Sequence, residues 1–543
     1  MRYQWLLDPE AVDMAALFRN FPDLLGAGGA GGVRDRGPVG GDGTLGVKWR
    51  RGGGSRGRPG YCRDPDGRTP VPRIRTAALG PALAALVASL ALGAPPASAA
   101  PGAASGAAPG ATASGAAAGW AGAEGGAGEA AAEGPATEGP AVEEARLDRD
   151  VPREILRRSG FAGEAPRFAG ALRGTGSYAA AERVAVRHGA ALWRRAVDRV
   201  QGRGPAGGDL ARDDDRPLYW ARLALTRELR AWQPRFRLTE EARARLLDRL
   251  ESASRGQDAI RFPHGRGVRR VLLTGFDPFT LDRDIRIGNP SGAAALALDG
   301  TLVRTADGGW ARVETAVFPV RWRDFANGTV ERVLRPHLAR VDLFTTVSQG
   351  RVGRFDLERF NGAWRGGFPD NENVSSTGPV PVADPGSTPQ WTVTSLPYGA
   401  ITAAATGPFP VYDNTQVTEV PVGGGAPVVR ADGPSPGSHS RAGGGGDYLS
   451  NEIAYRATLL RDRLGLAGLP GGHLHTPVLR FGAGNTDAVE DPKLVRNREA
   501  ITAQVRAVVA VAAGATGKAG KVREAGAAGE ATEAREAAGA AVR

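Results

Sequence analysis

The chain has 543 residues, and its 69 Lys and Arg against 58 Asp and Glu give a formal net charge of +11. Its 79 Gly and 39 Pro make up about a fifth of the residues, well above ordinary usage, and many lie in runs, so part of the chain is expected not to fold. The single cysteine, Cys62, excludes a disulfide framework, a cysteine-rich zinc site and an iron–sulfur cluster. All but four of the basic residues are arginine, which indicates compositional bias more than a nucleic-acid-binding surface, so we expect no nucleic-acid partner.

Residues 71–99 have the pattern of a secretory signal peptide. Arg73 and Arg75 precede an Ala/Leu-rich apolar segment that ends at an Ala-Ser-Ala cleavage site. The alternative, a membrane anchor, is disfavoured because the apolar core is short and contains Pro81. We therefore expect no stable membrane anchor and a secreted protein whose mature N terminus is Ala100.

The segments on either side of this signal predict little folded structure. Residues 1–70 are rich in Gly and Arg and would be a wrongly assigned or disordered extension, with the true start near Val71. Residues 100–149 consist largely of Ala, Gly, Glu and Pro and predict a low-complexity linker, because they lack the apolar bulk for a core.

Residues 150–262 predict a small helical region. Helical periodicity covers 179–200 and returns after Pro217, and a third helix is expected to begin at the N-cap residue Thr239, with Glu240 and Glu241 in its first turn. Nothing in this region indicates chemistry.

Residues 268–513 predict an α/β domain with a mostly parallel sheet covered on both faces. Ligands of such sheets bind beyond the carboxyl ends of the strands. The expected strands are 268–274, 312–319, 341–347 and Gly472–Arg480, and the expected helices are 291–299, 322–338, Tyr448–Arg463 and 491–513. Residues 421–446 predict a loop, and residues 514–543 a low-complexity tail.

The sequence gives no sign of a cofactor or metal site. No Gly-Lys-Ser/Thr follows the glycine run Gly443–Gly446, and no dinucleotide fingerprint or zinc-protease motif occurs. His473 and His475 alternate on a predicted strand and would point the same way, but no further ligands lie nearby, so we expect no metal.

Three residues form a candidate nucleophile, base and carboxylate set. Ser450 lies at the start of a predicted helix, whose free N–H groups suit an oxyanion, although a simple helix cap is the alternative. His475 lies at the end of a strand, and Glu358 lies on a short strand. A serine alcohol needs an adjacent imidazole, itself oriented by a carboxylate, to act as a nucleophile.

Several blocks together resemble the pyroglutamyl peptidase I family of cysteine peptidases, also called pyrrolidone-carboxylate peptidases. The blocks are VLLTGFDPF (271–279) with Asn289-Pro290-Ser291, Val347–Gly350, Leu357–Arg359, Pro369–Asn371, SLPYGAI (395–401), 446–452 and 472–477. They occur in the family's order, and any one alone would be weak.

The resemblance implies an open α/β/α sandwich with a mostly parallel twisted sheet, here preceded by the helical region. It implies a hydrolase, without a cofactor, that removes N-terminal pyroglutamyl residues from a peptide or small-molecule substrate. Glu358 would orient His475, which would activate the nucleophile. Phe276 and Phe279 would resemble the apolar walls around the lactam ring, with core packing as the alternative, and Gln349 would be a nearby polar contact.

The chain also departs from the family pattern. Ser450 stands where the family has its catalytic cysteine, Gly367 replaces an arginine, and the 421–446 segment is an insertion. A thiol is intrinsically more nucleophilic than an alcohol, but exposed reactive thiols oxidise outside the cell. We therefore expect a secreted Ser–His–Glu variant; the alternatives are an inactive relative that binds peptides or small ligands and, third, a general carbohydrate or ester hydrolase.

Overall fold

The structure is a computed structural model that describes residues 141–263 and 267–540. The predicted extension, signal peptide and most of the predicted linker lie outside these residues. None of the helices in the described part of the chain is long and apolar enough to cross a bilayer. The α-helices are α1 (Val142–Ala145), α2 (Asp150–Arg158), α3 (Glu164–Arg173), α4 (Tyr178–Val200), α5 (Arg216–Ala231), α6 (Glu240–Ser254), α7 (Pro290–Leu298), α8 (Trp322–Ala326), α9 (Thr329–Leu338), α10 (Tyr398–Thr402), α11 (Leu449–Arg463) and α12 (Pro492–Ala540).

The strands build one large sheet and three small ones. They are β1 (Val268–Phe276), β2 (Thr301–Arg304), β3 (Trp310–Phe318), β4 (Leu343–Gln349), β5 (Phe355–Glu358), β6 (Phe360–Gly362), β7 (Trp364–Gly366), β8 (Thr377–Pro379), β9 (Trp391–Val393), β10 (Val411–Asn414), β11 (Val417–Val420), β12 (Val428–Arg430), β13 (His439–Ala442) and β14 (Gly471–Thr476). The seven-stranded sheet has the order β10-β5-β14-β4-β1-β3-β2.

The large sheet is mixed but mostly parallel. Parallel pairs join β3, β1, β4 and β14, and β10 runs parallel to β5. The antiparallel pairs are β14 with β5 and the edge strand β2 with β3. The expected α/β fold with a mostly parallel sheet is therefore confirmed.

Helices cover both faces of this sheet, because its central strands are apolar on both sides. On one face, Val271 and Leu343 share a core with Ile501 of α12 and with residues of the helical region. On the other face, Leu272 and Phe344 pack with Ile453 of α11 and with α9. Alternate strand residues thus serve two cores, which explains the near-continuous apolar runs in the sequence.

The helical region packs onto the first of these faces. The expected helices are confirmed as α4, α5 and α6, and Thr239 caps α6 by accepting a hydrogen bond from the backbone N–H of Ala242 (3.3 Å). The last residues of the predicted linker, from 141, are also structured, since Glu143 and Arg146 are buried in contact with the α/β region.

Several predicted boundaries were wrong for local reasons. The 322–338 helix is divided into α8 and α9 at Gly328, whose φ of +70° is left-handed. The 472–480 strand ends at Thr476, because Pro477 has no N–H to donate to a sheet. The predicted 421–446 loop contains β12 and β13, which form a three-stranded antiparallel sheet with β11, and α12 continues past residue 514.

Candidate active site

Glu358 and His475 form a close pair at the ends of neighbouring strands. The Nδ1 atom of His475 lies 2.6 Å from Oε1 of Glu358, and both side chains are buried. The pair exists because β14 runs antiparallel to β5, with Glu358 opposite His473 and His475 opposite Asp356, so the contact is diagonal on one sheet face. The other carboxylate oxygen of Glu358 accepts a hydrogen bond from the Asn414 side-chain amide (2.6 Å). The carboxylate is therefore fixed from both sides and orients the imidazole ring.

Ser450 lies in the first turn of α11 and lines the same cleft as His475. The cleft has a volume of about 410 Å³. The Ser450 hydroxyl donates to the carbonyl oxygen of Gly445 (3.1 Å) rather than to His475. Among the described residues, no side chain caps the N terminus of α11. The first N–H groups of a helix have no intrahelical acceptor and point toward its start, so those of α11 are left without a side-chain cap.

The glycine run that precedes α11 is required by close contacts with the pair. A Cβ atom on Gly444 would lie 2.3 Å from Oε2 of Glu358, and one on Gly445 would lie 3.1 Å from Cε1 of His475. On the other side of the ring, a Cβ on Gly350 would lie 2.7 Å from the Cγ of His475. Glycine at these positions lets the backbone pack closely around the histidine and glutamate, which explains why the run consists of glycine.

Ser450 also lines a small cavity that His475 does not line. Its volume is about 50 Å³, and its lining includes the three residues expected to contact substrate, Phe276, Phe279 and Gln349. Phe276 is buried and stacks on Phe325, whereas Phe279 is half-buried and stacks on Tyr448 with ring centroids 6.0 Å apart. Five of the six predicted site residues thus line the cleft or the small cavity, and the sixth, Glu358, contacts His475 from a buried position.

A second apolar cleft, of about 400 Å³, shares Phe279, Gln349 and Tyr448 with this small cavity. The opposite wall of the main cleft is formed by residues of the small antiparallel sheet, Thr418 of β11 and Val429 of β12 among them. The insertion noted in the sequence therefore forms part of the cleft wall.

The loops that carry the small cavity are held by buried charges of the helical region, which sequence reasoning missed. Asp277, between Phe276 and Phe279, accepts hydrogen bonds from Arg222 (2.7 Å) and Arg255 (3.0 Å), and all three side chains are buried. Asp215 accepts from the backbone N–H of Asn289 (2.8 Å). Burial and the adjacent Asp214 raise the pKa of Asp215.

Buried charged side chains also hold the 369–371 segment, through Glu143 and Arg146. Glu143 accepts a hydrogen bond from the side-chain amide of Asn371 (3.0 Å), which also donates to the carbonyl of Pro278 (2.9 Å). Arg146 donates to the carbonyl of Asn371 (2.6 Å). The arginines of α5 and the Asp213–Asp215 run that precedes this helix were visible in the sequence, but periodicity does not show which distant charge each one meets.

The paired histidines are engaged by protein groups. His475 contacts Glu358, and the buried His473 lies between hydroxyl groups of Thr346 and Ser348. Within residues 141–263 and 267–540, no group of three or more His, Cys, Asp or Glu side chains is arranged to hold a metal ion.

The fold and cleft define an α/β protein with a histidine–glutamate pair beside a serine at a helix N terminus. Two family models match the chain: the PA0049 N-terminal domain over residues 125–251, and the PA0049 C-terminal domain over residues 270–384 and 408–480. The chain is 34% identical over 487 residues to a Pseudomonas aeruginosa protein named Uncharacterized protein PA0049, a match that covers 68% of this chain and 88% of that protein. The chain therefore belongs to the PA0049 family.

Solved structures of pyroglutamyl peptidases are also similar to part of the chain. A mutant pyrrolidone carboxyl peptidase from Pyrococcus furiosus matches with 22% identity and a TM-score of 0.30, covering 45% of this chain and 97% of that chain. Pyroglutamyl peptidase I from Bacillus amyloliquefaciens matches with 21% identity and a TM-score of 0.31, covering 45% and 96%. The α/β assignment itself rests on the sheet described above.

Proposed function

We propose that the protein is a peptidase-like hydrolase that removes an N-terminal pyroglutamyl residue, with Ser450 as nucleophile, His475 as base and Glu358 as the orienting carboxylate. The observation that carries the proposal is the 2.6 Å contact between Glu358 and Nδ1 of His475 in the cleft that Ser450 lines. A carboxylate at Nδ1 keeps the proton there and leaves the Nε2 lone pair free, which is the state that a general base needs.

The reaction divides into two steps. Rotation of the Ser450 side chain away from the Gly445 carbonyl brings its hydroxyl toward His475. The Ser450 oxygen then attacks the carbonyl carbon of the pyroglutamyl residue while Nε2 of His475 takes the proton, and the negative oxygen is stabilised by N–H groups at the start of α11. His475 gives its proton to the leaving amine as the C–N bond breaks. Water, activated by the same imidazole, releases pyroglutamate from the serine ester.

The positions of the two clefts suggest where the two parts of the substrate bind in this proposal. The small cavity holds the acyl ring between Phe276 and Phe279, and the main cleft, which His475 lines, receives the leaving peptide. Ser450, in the first turn of α11, lines both the main cleft and the small cavity.

The test compares wild type with Ser450→Ala and Ser450→Cys on a pyroglutamyl aminocoumarin amide. We expect wild type to release coumarin, Ser450→Ala to lose at least about a thousandfold in kcat, and Ser450→Cys to remain active. If wild type and Ser450→Ala are equally silent while Ser450→Cys turns over, the serine is not a working nucleophile.

A second candidate, a binding protein without catalysis, is favoured by one observation: the Ser450 hydroxyl donates to Gly445 and not to His475. In that case all three proteins would be silent in the assay, but a pyroglutamyl peptide would still bind to wild type, measured by calorimetry.

We also propose that the protein is secreted through residues 71–99. N-terminal sequencing of protein expressed in its native host is expected to begin at Ala100, and peptides that map to residues 1–70 would contradict this.

A further inference from the structure

A row of buried polar side chains includes Ser348, which lines the small cavity. Thr346 and Ser348 alternate along β4, and His473 lies beside them on β14, where it is completely buried. Nδ1 of His473 is 2.7 Å from the Thr346 hydroxyl oxygen, and Nε2 is 2.8 Å from the Ser348 hydroxyl oxygen. Their face of the sheet is the one that α11 covers, since Phe344 shares that side of β4 and packs with Leu449.

The hydrogen-bond network assigns a direction to this row. The Thr346 hydroxyl donates to the carbonyl oxygen of Gly472 (3.3 Å), so it accepts from Nδ1 of His473. Burial and the neighbouring His475 hold the pKa of His473 well below its usual range, so the ring is neutral and carries only that one proton. Nε2 is therefore an acceptor, and the Ser348 hydroxyl donates to it. With its proton committed, the Ser348 oxygen can only accept a further hydrogen bond.

The other polar groups around the small cavity reinforce this polarity. Ser348 lines the cavity together with Gln349, whose Oε1 atom is buried without a hydrogen-bond partner within the described chain. The hydroxyl of Tyr448 donates to the carbonyl of Pro369 (3.1 Å), and Asn289 donates to the carbonyl of Asp277 (2.9 Å). The cavity thus presents oxygens with free lone pairs, whereas hydrogens of its lining hydroxyl groups already have protein acceptors.

We propose that Ser348, held as an acceptor by His473, determines specificity by receiving a hydrogen bond from an N–H group on the acyl ring of the substrate. This rests on the proposed function, in which that ring is a lactam whose N–H is the matching donor. A ring of the same size without the N–H would leave the Ser348 oxygen buried and unpaired, and an unpaired buried acceptor costs about 1–3 kcal/mol. Neither Ser348 nor His473 takes part in proton transfer to the reacting atoms; both are positioning and recognition residues.

The test uses two aminocoumarin amides: pyroglutamyl, and 3-oxocyclopentanecarbonyl, in which a CH₂ group replaces the ring N–H. Wild type is expected to prefer the lactam in kcat/KM by about 5- to 150-fold, the ratio that corresponds to that cost. Ser348→Ala should lose most of this preference through slower lactam hydrolysis. Thr345→Ala is the matched control, since Thr345 neighbours Thr346 on the same strand but faces the opposite side, and it should keep the preference. A folded, active Ser348→Ala variant with wild-type selectivity overturns the proposal.

Two further measurements keep this inference separate from the proposed function. Calorimetry with free pyroglutamate and free 3-oxocyclopentanecarboxylate reports ring recognition without turnover. A preference for pyroglutamate that Ser348→Ala removes supports the role of Ser348 even if no amide is hydrolysed, whereas hydrolysis without any lactam preference refutes it and leaves the proposed function standing. Binding of neither acid overturns it as well.

The ¹⁵N chemical shifts of His473 in the wild-type protein test the polarity directly, and they do not depend on any variant folding. A neutral ring protonated at Nδ1 is expected. A ring protonated at Nε2 would make Ser348 a donor and would overturn the proposal.

Discussion

Replacing Asp277 tests whether buried charges of the helical region hold the segment that carries Phe276 and Phe279. Oδ2 of Asp277 accepts from Arg222 Nη2 at 2.7 Å and from Arg255 at 3.0 and 3.2 Å, and none of the three side chains is more than 2% exposed. Arg255 has a second carboxylate partner, Glu251 (2.5 Å), whereas Asp277 is the carboxylate that pairs with Arg222. Asp277→Asn would therefore leave Arg222 as a buried charge without its counter-ion.

The unpaired charge of Arg222 determines how much stability Asp277→Asn loses. Removing one partner of a buried ion pair costs about 3–5 kcal/mol, so the free energy of unfolding of Asp277→Asn should fall by that amount. Arg222→Met should cost less, below about 2 kcal/mol, because Arg255 still pairs with Asp277 and because Nε and Nη1 of Arg222 have no hydrogen-bond partner to lose among the described residues. The double variant should be more stable than Asp277→Asn alone, because the unpaired charge has been removed.

Guanidinium chloride unfolding of the four proteins measures these differences, with equal m values required for the comparison. The reasoning is refuted if Asp277→Asn loses less than about 1 kcal/mol, or if Arg222→Met is the more destabilising of the two single variants.

Three other predictions concern the cleft. Glu358→Gln, which presents an amide to Nδ1 of His475, should lower kcat by about 10³- to 10⁴-fold with little change in KM. In steady-state kinetics, a loss of kcat below tenfold would show that Glu358 does not orient the histidine. Gly444→Ala should lower kcat by about 100-fold because its Cβ would lie 2.3 Å from Oε2 of Glu358. Gly446→Ala, whose Cβ would meet no described atom within 4 Å, tests the cost of placing a side chain at the left-handed φ of +87° alone. His473 resists protonation in the folded protein but not in the unfolded chain, so acid should destabilise wild type more than His473→Phe. Below pH 6.5 the free energy of unfolding of wild type should fall by up to about 1.4 kcal/mol per pH unit more than that of the variant. Parallel curves of unfolding free energy against pH between pH 7 and 5 would contradict this.

Local pattern was enough to predict much of the fold. Apolar runs located β1 and β4, and N-cap and helical periodicity located α4 to α6, because these signals depend on neighbours along the chain. The edge strand β2 and the short strands β12 and β13 were missed, since each is too short or too exposed to carry a periodic signal.

Sequence blocks also selected Glu358, Ser450 and His475, and the structure places them at one cleft. The sequence by itself thus determined which side chains are available and on which elements they lie. The tertiary structure decided their partners: the antiparallel β5–β14 pairing that joins Glu358 to His475, the arginines of the helical region that meet Asp277, and the contact between Ser348 and His473. These contacts join residues 22 to 125 positions apart, and the cost of burying unpaired charge and polar groups, not any local pattern, determines that they form.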